Sequence, residues 1–425
     1  MSGVARNELL GRRFRAIREV TARLCETLTA EDCAAQSMPD ASPAKWHLAH
    51  TTWFFETFVL KCFDPGYESF HPRFEFLFNS YYDGVGEQYS RAARGLLTRP
   101  TLEDIGRYRA HVDAALAVLL DASDRLSGEA LDLVELGLNH EQQHQELLLT
   151  DVKHLLAQNP LFPTFRQVKE PAAVPIRSPE WHFFAGGLVE VGHAGAAFSF
   201  DNEAPRHRVH LEGFELASRP IRNGEFLAFI EDGGYQRSEF WLSEGFSKIR
   251  SESWTAPLYW TRQDDRWWTF TLSGLRPLRS EEPVCHVSHF EADAFARWAG
   301  CRLPTEAEWE HAAAGVPVEG NLLEAGRFHP QAASAHPAEE GPQQLFGDVW
   351  EWTASAYAPY PGFRAAAGAL GEYNGKFMSS QIVLKGGSCV SPRSHLRASY
   401  RNFFYPEARW QFSGFRLARD AASST

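Results

Sequence analysis

Residues 131–151 read LDLVELGLNHEQQHQELLLTD, and this stretch carries both an architectural and a chemical signal. Its apolar residues recur at three- and four-residue steps without an interrupting proline, which predicts a helix running on to Leu156. On such a helix Leu133, Leu136, His140, His144, Leu147 and Asp151 share one stripe. The two imidazoles, four positions apart, then stand with Cβ atoms roughly 6 Å from each other. A polar ring left uncoordinated in an inward-facing apolar row is costly, so the pair reads as two ligands of one metal ion. Spacing of this kind is a moderate signal by itself, because paired surface histidines are common, and it requires a third ligand.

Similar apolar stripes occupy Leu10–Leu28, Trp46–Leu60, and Ile105, Tyr108, Val112, Leu116 and Leu119. The last of these follows Pro100 and Thr101, with Asp104 three residues on, the arrangement of a capping box. Four long helices predict a helical bundle over residues 1–158. The second supplies Trp46-His47-Leu48-Ala49-His50, in which both histidines could approach the bundle axis, with periodicity favouring His50. Three neutral imidazoles leave up to three positions open on an octahedral ion, which suits Fe(II) holding a sulfur substrate and O₂ together. Zinc would suit hydrolysis or thiol transfer better. Glu141 directly after His140 matches the HExxH pattern of zinc proteases, yet no further ligand follows downstream in a protease arrangement.

Beyond residue 158 the periodicity fails. Prolines at 160, 163, 171, 175 and 179 mark an extended linker over 159–180. From Trp181 to the end come short alternating stretches such as Leu188-Val189-Glu190-Val191 and Arg208-Val209-His210-Leu211, with two short helical patterns at Asn223–Ile230 and Phe290–Trp298. The expected fold class is therefore α+β multidomain, a four-helix bundle followed by a mixed α/β domain over 181–425.

The bulk composition agrees with small-molecule chemistry. A chain of 425 residues with 44% hydrophobic and 23% charged residues can bury two or three cores. Its net charge of −12 offers no broad positive field for nucleic acid or anionic lipid. The polar stretch Met1 to Arg13 does not read as a secretory signal, and no apolar run approaches the roughly 18 residues of a membrane span. The cysteines at 25, 33, 62, 285, 301 and 389 form no CxxC pair, which points to reduced thiols and a cytoplasmic enzyme.

The second half carries Ala294-Phe295-Ala296-Arg297-Trp298-Ala299-Gly300, Arg302-Leu303-Pro304-Thr305-Glu306-Ala307-Glu308-Trp309-Glu310, Gly347-Asp348-Val349-Trp350-Glu351-Trp352-Thr353, Lys385-Gly386-Gly387-Ser388 and Gly414-Phe415-Arg416-Leu417-Ala418. These resemble the formylglycine-generating-enzyme fold, which has little regular secondary structure. The first half resembles the DinB-like metal-binding bundle. Their fusion resembles the ergothioneine-pathway sulfoxide synthases, the hercynine oxygenases.

That resemblance implies Fe(II) on His50, His140 and His144, with His47 as a neighbour. It also implies a reaction in which O₂ joins imidazole C2 of hercynine (N,N,N-trimethylhistidine) to the sulfur of cysteine or γ-glutamylcysteine. Leu77-Phe78-Asn79-Ser80-Tyr81-Tyr82 resembles the branch with paired tyrosines, which makes Tyr81 the expected catalytic donor and Tyr82 its partner. Gln143 and Asn402 are expected to bind hercynine, with Phe403 and Phe404 as walls whose aromatic faces suit a quaternary ammonium. Relatives that use γ-glutamylcysteine carry an acidic residue where Phe404 stands, which favours free cysteine here. Arg91 and Arg94 resemble arginines that bind the thiol substrate's carboxylates, a task suited to a guanidinium fork.

Three other readings are weighed. Copper-dependent formylglycine generation needs a close cysteine pair near the C-terminus, but Cys389 has no second cysteine after it. A zinc-dependent thiol S-transferase would keep the bundle and change the metal. A selenoneine or ovothiol-type synthase would keep the chemistry and change the donor or acceptor. Oligomeric state is not legible in the sequence.

Overall fold

The computed structural model describes residues 3–121, 126–169, 178–333 and 341–421. The chain divides into two compact units, Met1–Phe165 with Ala366–Tyr373, and Arg166–Ala365 with Asn374–Thr425. One correction to the expected partition follows. Residues 366–373, which the sequence places within 181–425, pack with the first unit.

The first unit is built on helices Gly3–Cys25, Ala44–Phe55, Leu102–Asp121 and Gly128–Ala157. Local chemistry sets their starts. Thr101 and Asp104 cap each other, with the backbone N–H of Thr101 donating to Asp104 Oδ2 (2.9 Å) and that of Asp104 to Thr101 Oγ1 (3.1 Å). Ser127 caps the fourth helix by accepting from the N–H of Ala130. The fourth helix packs on the first and second, and the second also packs on the third. Phe14, Trp53, Phe54, Phe55, Val112, Leu116 and Leu138 fill the core. Gly137 permits the closest approach of the second and fourth helices, since a Cβ there would lie 2.5 Å from a ring carbon of Phe55.

Two details depart from the periodicity. The expected helix Trp46–Leu60 keeps α geometry only to Phe55 and then widens into a π turn, Glu56–Leu60. Glu56 is buried there and anchored by the phenols of Tyr67 (2.7 Å) and Tyr108 (2.6 Å) and the N–H of Phe70 (3.2 Å). On the fourth helix the stripe through Leu133, Leu136 and Leu147 is only partly buried, whereas Leu131, Val134, Leu138, Leu148 and Leu149 are fully packed. The two metal-spaced histidines thus lie at the edge of a more accessible face.

The second unit holds small sheets. Trp181–Phe184, Phe214–Ala217 and Ala418–Asp420 form one, with Phe214–Ala217 central. Gly187–Val191 pairs antiparallel with His207–Leu211 in the register Val189 opposite Val209, as the alternation predicts. A four-stranded sheet runs Asn402–Phe404, Ile382–Lys385, Trp350–Ala356 and Ser413–Gly414. Trp260–Gln263, Arg266–Thr271 and Gly274–Pro277 form a meander.

The helices Asn223–Glu231 and His289–Trp298 correspond to those expected, and Ser243–Ser251 and Glu306–Ala312 add two more. The motif Thr305 to Glu308 is a capping box that starts the last of these. Trp309 then buries its ring and donates through Nε1 to Glu351 (2.9 Å), which also takes two bonds of 2.6 Å from Arg416. Glu351 and Arg416 are both fully buried, so the charged motif residues act as an internal staple. Of the expected linker, residues 170–177 lie outside the described residues.

Candidate metal centre

The second helix carries His47 and His50 one turn apart, facing His140 and His144 on the fourth. One ring nitrogen each from His50, His140 and His144 lies within 4.8 Å of the others. His50 Nε2 and His140 Nε2 are 3.2 Å apart. That is close to the separation of about 3 Å expected for adjacent ligands bonded at about 2.1 Å.

The rings are held in place before any ion arrives. His50 Nδ1–H donates to the carbonyl of Phe78 at 2.6 Å, which leaves the Nε2 lone pair directed inward. Trp46 and Trp53 stack on its two faces, at 4.5 and 5.4 Å between centroids. Phe54 packs against His140 at 4.8 Å. Burial pushes the His140 imidazole down to about 3, and holds His50 and His144 well below 6.5, with neighbouring imidazoles acting in the same direction on those two. All three are neutral at pH 7, so the set presents three nitrogen lone pairs and no competing protons. The residues fit a divalent first-row metal.

Glu141 is excluded as a protease-type base by its bonds. Its Oε1 accepts from Arg109 (2.6 Å) and Thr21 (2.7 Å), and its Oε2 from Arg18 (2.9 Å). The carboxylate is fully buried among these partners and has no free direction in which to take a proton from water.

The predicted substrate residues separate into groups. Tyr81 and Tyr82 stack at 4.6 Å, in a turn pinned by Asn79. The Asn79 side chain accepts from the N–H of Tyr82 (3.0 Å) and donates to the carbonyls of Tyr82 (3.0 Å) and Gly86 (3.1 Å). Tyr82 is buried against Trp53 at 5.6 Å, one ring removed from His50, while Tyr81 is partly exposed. Burial, with Tyr81 and Tyr373 adding to it, raises the Tyr82 phenol well above 10.

Arg94 is buried, lies 3.4 Å over the ring of Trp46 and donates to Ser42 Oγ at 2.9 Å. Burial and then Arg91 push its guanidinium down to about 9, against a smaller pull from Asp151. Arg91 is exposed and its guanidinium meets the carbonyl of Asp40. Asn402, Phe403 and Phe404 form a strand of the second unit paired with Ile382–Lys385. There Phe403 stacks on Tyr357 at 4.0 Å and Phe404 meets Trp410 edge-on at 6.3 Å.

Tyr373 is the site residue that sequence reasoning missed. Its phenol donates to Gln143 Oε1 and its ring lies 5.8 Å from that of His140. Next to it, Glu372 accepts from the backbone N–H groups of Asp83 (2.9 Å) and Gly84 (2.7 Å), directly after the tyrosine pair. No periodicity marks this segment; a tyrosine between Gly371 and Gly375 reads as a loop.

A helical unit with three converging neutral histidines, followed by a domain of short sheets and capped helices, defines a two-module metalloenzyme class. Residues 13–148 match the DinB superfamily, and residues 166–421 match the sulfatase-modifying factor enzyme 1-like domain. The chain is 34% identical to a hercynine oxygenase of Mycobacterium tuberculosis, covering 94% of this chain and 96% of that one. Identity is 33% to a hercynine oxygenase of Mycolicibacterium thermoresistibile, over 100% of this chain and 98% of the relative. An ergothioneine biosynthesis protein 1 of Schizosaccharomyces pombe is 28% identical over 52% of this chain and 28% of its own length. The chain belongs to the hercynine oxygenase family and is an oxygenase.

Proposed function

We propose that this chain is an Fe(II)- and O₂-dependent sulfoxide synthase that bonds imidazole C2 of hercynine to the sulfur of cysteine, a step of ergothioneine biosynthesis. The observation that carries the proposal is the set of three neutral, inward-facing imidazoles in a chain related over its whole length to hercynine oxygenases. Iron bound there would supply a Lewis-acidic centre that favours thiolate over thiol and draws thiolate and O₂ together.

The protein's own residues have distinct tasks in this reading. Among the described residues Arg94 has no carboxylate partner within salt-bridge distance, and a buried guanidinium without one is costly. A substrate carboxylate would relieve that cost. Gln143, held by Tyr373, would orient hercynine, and the family resemblance gives Asn402, Phe403 and Phe404 to the same substrate. Tyr81, the more exposed of the stacked pair, would deliver the proton or hydrogen atom, with Tyr82 behind it. The six unpaired cysteines suit a reducing compartment, and a cytoplasmic location is part of the proposal. No described helix is long and apolar enough to cross a membrane.

Anaerobic iron loading, then O₂ exposure with hercynine and each candidate thiol, tests the whole reading by mass analysis of the product. Phe404 in place of an acidic residue predicts a higher kcat/KM for cysteine than for γ-glutamylcysteine. A large preference for the dipeptide would reverse the donor assignment, and full activity with zinc under anaerobic conditions would remove the oxygenase chemistry. The Tyr81→Phe variant is expected to keep iron but lose sulfoxide, diverting thiol to dioxygenation. An unchanged product ratio would take Tyr81 out of the reaction.

A further inference from the structure

Beside the three ligand histidines stands a second line of polar contacts. His47 Nδ1 faces His144 Nδ1 at 2.8 Å, and His47 Nε2 faces Asp151 Oδ2 at 3.0 Å. The same Oδ2 accepts from the backbone N–H of Ser42 at 2.8 Å. His47 and Asp151 are both buried, and Asp151 lies two turns beyond His144 on the fourth helix. The contacts thus run from a carboxylate through one imidazole to another.

Only one placement of protons on neutral rings satisfies every contact. A lone pair on His47 Nε2 would repel the carboxylate, so that nitrogen carries hydrogen and donates to Asp151. His47 Nδ1 is then an acceptor, and His144 Nδ1–H must donate to it. The remaining nitrogen of His144, Nε2, is left with its lone pair free. A hydrogen bond of this kind on a metal ligand fixes its tautomer and ring orientation and raises its basicity. His50 receives the simpler version of the same treatment from the carbonyl of Phe78.

We propose that His47 and Asp151 are positioning residues for the metal ligand His144, forming a carboxylate–imidazole–imidazole relay that aims Nε2 at the metal and increases its electron donation. The inference rests on the reading of His144 as an iron ligand. The relay also explains why the second helix carries two histidines at i and i+3, of which one serves the metal directly and one through a neighbour.

The test compares wild type, His144→Ala, His47→Phe and Asp151→Asn by anaerobic Fe(II) affinity, measured by chelator competition, and by the Fe(III)/Fe(II) midpoint potential. His47→Phe is expected to weaken iron binding about 10–100-fold. Asp151→Asn, nearly isosteric and still an acceptor, should weaken it less. Both should raise the midpoint potential, because a less basic His144 favours Fe(III) less.

Wild-type affinity and potential in both variants would overturn the relay. So would a His47→Phe variant as deficient as His144→Ala alongside an unaffected Asp151→Asn, which would make His47 a ligand itself. If His47→Phe fails to fold by circular dichroism, Asp151→Asn decides through its potential. Normal iron binding by His144→Ala would instead defeat the ligand assignment, an outcome distinct from failure of the relay.

Discussion

His140→Ala and His144→Ala are expected to emerge from purification without iron while retaining wild-type helicity. Structural zinc sites bind with about 10–16 kcal/mol shared over four ligands, so one ligand accounts for about 3–4 kcal/mol, on the order of 10²–10³ in affinity. A three-histidine site has no spare ligand to absorb that loss. The fold should tolerate the change because neither ring supports the core through hydrogen bonds. Nδ1 of His140 has no hydrogen-bond partner among the described residues, and His144 is only half-buried. Metal analysis after anaerobic reconstitution, paired with circular dichroism, checks both parts. Full iron occupancy in either variant would remove that histidine from the ligand set.

The second large effect concerns stability. Glu141 lies fully buried between Arg18 and Arg109, and Glu141→Ala would leave two buried guanidiniums facing each other without their shared carboxylate. Breaking a buried pair by removing one partner costs about 3–5 kcal/mol. Arg18 keeps Asp113 as a second partner at 2.6 Å, which moderates its share of the loss.

The pH dependence has a definite sign. Burial alone would raise the Glu141 carboxyl, but Arg109 and Arg18 outweigh it and hold it down at about 2, against 4.5 for the ordinary group. Its contribution is therefore complete above about 4.5 and lost as pH falls toward 2. Urea unfolding of wild type and Glu141→Gln should show a gap in midpoint at pH 6 that narrows between pH 4.5 and 2. A gap below about 0.5 kcal/mol at pH 6 would mean that the network contributes little.

Much of this was legible before the coordinates. Helix existence followed from hydrophobic spacing, and the caps at Thr101 and Thr305 followed from serine- or threonine-type residues three positions ahead of a carboxylate. These are local properties, set by hydrogen bonds that span one turn. The pairing of His140 with His144 is local in the same sense.

Other features were not readable because they depend on contacts distant in the chain. The stripe through Leu133, Leu136 and Leu147 looks inward on a helical projection, yet the fourth helix is buried on other sides and opens on that one. A projection shows which residues share a face but not what covers it. Helix periodicity likewise could not show that α geometry ends at Phe55, since the buried bonds to Glu56 come from Tyr67, Phe70 and Tyr108. Arg91 and Arg94 look equivalent in sequence, and only packing buries one over Trp46 while leaving the other in solvent.

The sequence by itself determined the two-part architecture, the residue types able to bind a metal and the relationship to hercynine oxygenases, because each rests on spacing or on motif identity along the chain. Tertiary structure decided between His47 and His50, which one helix presents on adjacent positions of nearly the same face. The carbonyl of Phe78 and the carboxylate of Asp151 made that choice, by directing one imidazole lone pair at the metal position and turning the other toward His144. It also brought Tyr373, some 230 residues from Gln143 in sequence, against that side chain. Side-chain direction is a property of the partners a fold assembles, and a linear pattern holds no record of them.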